Sequence, residues 1–87
     1  MESTVSVGCI VHYVLPAGPS KGSHRPAVVV HLWPSGEYTG TVQLQVFTDS
    51  DEHGNYNDRL PQVMWATSVK HDENGEPGTW HWQERDE

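Results

Sequence analysis

The chain has 87 residues, with twelve Asp and Glu against five Lys and Arg, and a formal net charge of −7 at pH 7. This length holds one hydrophobic core, which at such a size buries only about 60–65% of the unfolded surface. No basic stripe exists to neutralise consecutive phosphates, so a DNA or RNA duplex is not an expected partner; no run of roughly 18 apolar residues suggests a membrane span.

The opening segment, "MESTVSVGCIVHYVL", carries an acid and hydroxyls where a secretory signal would carry Lys or Arg, and an intracellular, reducing location is expected. Its apolar run, 7–15, reads as a first strand. Cys9 is the single cysteine; it makes no internal disulfide, builds no zinc site by itself, and inside an apolar strand is expected to be inert. A Pro- and Gly-rich loop, "PAGPSKGSHR", leads to "PAVVVHLW" (26–33), a second strand expected to be central, buried on both faces and started by Pro26. His31 within it is expected to be a hydrogen-bonded core residue.

"TVQLQVFT" (41–48) alternates strictly, with Val42, Leu44 and Val46 on one face and Gln43 and Gln45 on the other. The polar stretch "DSDEHGNYNDRL" (49–60) half-matches a calcium-binding EF-hand loop at Asp49, Asp51 and Gly54, but has Leu60 where the bidentate Glu belongs. It reads as a solvated strand connection. "QVMWATSVKH" (62–71) alternates Val63, Trp65, Thr67 and Val69 against Met64, Ala66, Ser68 and Lys70, so Trp65 is expected in the core with Val63 and Val69. "DENGEPG" turns the chain into "TWHW", where Trp80 and Trp82 share a face and His81 points the other way.

Five short strands rich in Val, Ile, Thr, Tyr and Trp, separated by turn signals, indicate an all-β fold, a small five-stranded SH3-like or OB-like barrel. Residues 1–87 form one β domain, with an ordered core over about 7–83 and an acidic tail at 84–87. So small a core would be relieved by assembly, and a homo-oligomer is expected.

Catalysis has little support. No G-x-S-x-G elbow or Gly-rich phosphate loop is present, and paired carboxylates occur only in loops with no apolar surroundings to raise a pKa. The six histidines, at 12, 24, 31, 53, 71 and 81, lack the spacings typical of zinc sites, so neither a metal nor a cofactor is expected. Aromatics, hydroxyls and a few bases remain. They suit a small nucleotide-type ligand, its bases stacked on indoles and its phosphates held by Arg. Arg25 is the expected phosphate contact; Trp33, Trp80 or Trp82 would stack; Thr67, Ser68 and His81 would supply polar contacts. Trp80 and Trp82 equally suit closure of the barrel or a subunit interface, where Trp is enriched.

The segments "RPAVVVHLW", "LQVFTD", "VMWATSV" and "PGTWHW" together resemble a widespread set of small, mostly uncharacterised bacteriophage and prophage proteins, over about residues 7–83. The resemblance implies a phage protein acting in the cytoplasm of an infected bacterial cell. By size and context it is also similar to phage anti-CBASS and anti-Thoeris sponges, oligomers that sequester cyclic nucleotide immune signals without catalysis. The alternative implication is a protein-binding adaptor or a minor structural or assembly protein of the phage.

Overall fold

The computed structural model describes residues 5–33, 36 and 40–83; the acidic tail at 84–87 lies outside them. Five strands close into a small all-β barrel: β1 (Ile10–Val14), β2 (His24–Leu32), β3 (Val42–Phe47), β4 (Val63–His71) and β5 (Thr79–His81). Each of β1 to β3 pairs antiparallel with the next, and β5 lies antiparallel to β1 and parallel to the end of β4. This meander fits the SH3-like alternative better than the Greek-key order of an OB barrel. No helix occurs among the described residues, so none is long and apolar enough to cross a membrane.

Alternation fills the barrel. Val11 and Tyr13 on β1, Ala27 and Val29 on β2, and Val42, Leu44 and Val46 on β3 all point inward and are buried, with Trp80 from β5. Burying each Val or Leu contributes about 1.5–3 kcal/mol, against the conformational entropy of ordering the chain. The face expected of β3 is the face observed.

β4 departs from its expected phase. Pairing of Leu44 with Ala66 but Val42 with Val69 leaves one extra residue in β4, and Ser68 has a positive φ of 52°. This β-bulge reverses the alternation. Met64, Ala66 and Val69 therefore pack on or within the core, while Val63 and Trp65 are turned outward and Trp65 is 51% exposed. Trp65 and Val63 are thus not core residues.

Three further expectations need correction. β2 begins at His24, so Pro26 is its third residue, and its outward positions Val28 and Val30 are half-buried rather than fully covered. A second register shift, between Val29 and His31, leaves His31 exposed, edge-on to Trp33 at 4.6 Å between ring centroids. Cys9 precedes β1 and is partly exposed; the Ser6 hydroxyl and backbone hold its thiol below the usual value.

The 49–61 connection is not simply solvated. Asp51 accepts hydrogen bonds from the N–H groups of His53 and Asn55, and Leu60 N–H donates to Ser50 Oγ. This compact loop carries Asp58 to one end of the barrel, where its side chain is completely buried. Gly18 of the β1–β2 loop approaches so closely that an added Cβ would lie 3.2 Å from the Asp58 carbonyl oxygen; with φ at +88°, glycine is required there twice over.

Candidate functional site

Two features outside the barrel core carry chemistry: an apolar outer face on β1 to β4, and a group of histidines on β1, β2 and β5.

The outer face follows from register. Ile10 is opposite Val28, Val28 opposite Gln45, and Gln45 opposite Trp65, so these four side chains form one row across four strands. Phe47 and Val63 are partners two positions further along β3 and β4. Ile10, Phe47, Val63 and Trp65 are all exposed large apolar groups. Gln45 interrupts the row, and the exposed apolar groups gather on β3 and β4 at Trp65, Phe47 and Val63; an exposed apolar cluster on a small acidic protein commonly marks an interaction surface. The acids Asp49, Asp51 and Glu52 lie two to five residues after Phe47 in the chain.

The residues expected to hold a nucleotide are dispersed. Arg25 is the second residue of β2 and Trp33 lies just past its end; eight residues of extended chain separate them by roughly 25 Å. Arg25 is committed to Asp58, donating from Nε to Oδ2 at 2.7 Å and from Nη2 to Oδ1 at 2.6 Å. Asp49 N–H donates to the same carboxylate at 2.7 Å. The Arg25 guanidinium, first, and then the Asp49 N–H hold the Asp58 carboxyl far below the usual range, although burial opposes this. Trp33 is half-buried, and its backbone pairs with Gly40 and Thr41. Thr67 is exposed and Ser68 half-buried, at the β4 bulge.

Trp80, His81 and Trp82 are brought together, and Arg25 lies one strand away, since Tyr13 pairs with Arg25 on one side and Trp80 on the other. Trp80 is 3% exposed, stacked on His71 at 4.3 Å and met edge-on by Trp82 at 5.4 Å. The indole pair closes the core. A depression of 430 Å³ lies on the 49–61 loop, lined by Glu52, His53, Gly54, Arg59, Leu60 and Pro61. None of the expected ligand-binding residues borders it.

The histidine group was not expected from spacing. His12 on β1 is directly opposite His81 on β5, and opposite Pro26 on β2. His24 lies two residues from Pro26 on the same outward face, the diagonal neighbour of His12. One ligating nitrogen from each of His12, His24 and His81 falls within 4.8 Å of the others. Ring centroids are 4.6 Å apart for His24 and His81, 5.6 Å for His12 and His81, and 6.4 Å for His12 and His24, all edge-on. His81 is 3% exposed despite facing outward.

The β4–β5 loop lies beside this group. A Cβ on Gly75 would be 3.7 Å from His24 Nε2. Glu73 Oε2 lies 2.5 Å from His71 Nε2 and accepts a hydrogen bond from Trp82 N–H at 3.1 Å. The His71 contact foremost, then the Trp82 N–H and the nearby His71 and His81 rings, keep the Glu73 carboxyl below its usual range against a desolvation cost. The only signal in the sequence was the outward direction of His81.

The chain matches no family model, and no curated protein or solved structure matches it.

Proposed function

We propose that this protein is a non-catalytic binding module that engages a protein partner through the outer β1–β4 face centred on Trp65. The observation that carries this reading is the exposed apolar group Trp65, Phe47 and Val63 on β3 and β4, with Ile10 at the far end of the same cross-strand row, left in water by a barrel that already has a core. Exposed aromatics of this kind are the anchors of protein interfaces. The acids at the start of the 49–61 loop favour a partner with an apolar centre and a basic rim. As a phage-encoded protein, which its motif resemblance implies, it would act as an adaptor or assembly factor in the infected bacterial cytoplasm. The same face in a second copy would account for a homo-oligomer.

A second reading, sequestration of a cyclic nucleotide immune signal, draws support from Trp65 itself. A half-exposed indole with the Thr67 hydroxyl two residues further along β4 offers a stacking platform, at about 1–3 kcal/mol per base. Arg25 is a poor phosphate contact while Asp58 holds it, so this reading ranks below the first.

Two measurements separate the readings. Wild type and Trp65→Ser are compared by affinity capture from lysates of infected host cells and by sedimentation at rising concentration. A defined protein partner, or self-association, that depends on Trp65 is expected. Isothermal titration with cyclic di- and trinucleotides and cyclic ADP-ribose isomers is expected to be silent; saturable heat would transfer the assignment to the nucleotide reading. Identical capture and sedimentation by the two proteins would reject the Trp65 face.

A further inference from the structure

The geometry points to a divalent transition-metal site of the zinc type, formed by His12, His24 and His81 on the outer face where β1, β2 and β5 meet.

Three imidazoles, half of the six in the chain, converge from the β1–β2 pair and from β5, which is distant from both in sequence. Zinc binds histidine nitrogen at about 2.0–2.1 Å, so tetrahedral ligands sit about 3.3 Å from one another and their ring centroids about 5.2 Å apart. The centroid separations of 4.6, 5.6 and 6.4 Å bracket that value. Bringing nitrogens within 4.8 Å to bonding positions needs side-chain rotations and no change in strand register. The rings meet edge-on, as imidazoles around one ion do, and none of the three pairs is stacked.

The donor set selects the class of ion. Three neutral nitrogen ligands suit zinc, cobalt, nickel or copper, whereas calcium and magnesium require oxygen. Three protein ligands leave a fourth position for water or a small anion, the arrangement of an open site. Surrounding structure holds the ligands in place. His81 is fixed by Trp80 before it and Trp82 after it, both packed on the core. The Gly75 backbone lies close to His24.

Untagged protein is titrated with zinc sulfate by calorimetry, and with cobalt(II) by absorption, which distinguishes four-coordinate from octahedral ions. One zinc per chain is expected, with cobalt d–d bands of four-coordinate intensity and a higher melting temperature when loaded. His24→Gln, at the surface, is expected to weaken binding on the order of 100-fold, and His12→Gln similarly, through loss of one of three ligands. His53→Gln, outside the three-histidine group, is expected to bind like wild type. His81→Gln is a weaker test because that side chain is buried. Failure of folded wild type to take up zinc would overturn the site, as would uptake unchanged in both His24→Gln and His12→Gln. Neither result bears on the Trp65 face.

Discussion

Asp58 offers the sharpest test of how this barrel is held together. Its carboxylate is fully buried and accepts from Arg25 Nε, Arg25 Nη2 and Asp49 N–H, while the Arg25 side chain keeps 21% exposure. Breaking a buried pair from one side costs about 3–5 kcal/mol, because the remaining charge is stranded. Arg25→Ala strands the better buried group and belongs at the upper end of that range. Asp58→Ala strands a guanidinium that water can partly reach, and belongs at the lower. Asp58→Asn keeps the shape and an acceptor for Asp49 N–H, and is expected to lose about 2 kcal/mol. A domain of 87 residues holds about 4–13 kcal/mol in total, so these are large fractions.

The double variant is the decisive arm. Removing both charges leaves mainly the orphaned Asp49 N–H, so Arg25→Ala with Asp58→Ala is expected to cost no more than Arg25→Ala alone, a coupling of about 3 kcal/mol. Urea unfolding followed by tryptophan fluorescence at pH 7 measures wild type and the four variants. The pH dependence has a defined sign. A carboxyl depressed in the folded state contributes stability that is fully present above its unfolded pKa of about 3.9 and is lost as pH falls towards the folded value. The advantage of wild type over Asp58→Asn should therefore be constant above about pH 5 and narrow below pH 4. Additive single losses, or a wild-type advantage that grows on acidification, would refute the buried-pair argument.

Trp80→Ala is expected to cost about 3–5 kcal/mol, measured by the same unfolding assay, since it empties a core position packed against His71 and Trp82. Trp65→Ser should stay within about 1 kcal/mol of wild type, because half of that ring is already in water. At the β4 bulge, Ser68→Gly should be neutral or slightly stabilising and Ser68→Val destabilising by about 1–2 kcal/mol, because φ of 52° penalises a branched side chain. Thermal melts of the pair check this, and equal melting temperatures would contradict it.

Strand-scale periodicity made much of the barrel legible, and β3 shows why: with no irregularity within Val42–Phe47 itself, period two alone identifies its inward residues. β4 carries an equally clean pattern, yet a bulge has no periodic signature, and one extra residue at Thr67–Ser68 was enough to invert the placing of Trp65. Asp58 was invisible for a different reason. Its partner is 33 residues away, and one acid in a polar loop looks like any other until the loop is folded against Arg25. The partial calcium-loop match rests on Asp49, Asp51 and Gly54, whereas the buried carboxylate, Asp58, stands outside the matched positions.

The histidine group depends on two registers at once, the β1–β2 hairpin and the closure of β5 on β1, and neither is encoded in local spacing. Its logic is nonetheless contained in the tripeptide Trp80–His81–Trp82. Side chains in a strand alternate, so a one-residue slip of β5 against β1 would expel Trp80 from the core and bury His81 in its place. The apolar free energy of seating a tryptophan therefore opposes the slip, and the same alternation that sends the indole inward sends the imidazole outward, opposite His12. Core closure and assembly of the three imidazoles are consequences of one register. A substitution that loosens Trp80 is accordingly expected to scatter the histidines even where none of them is changed.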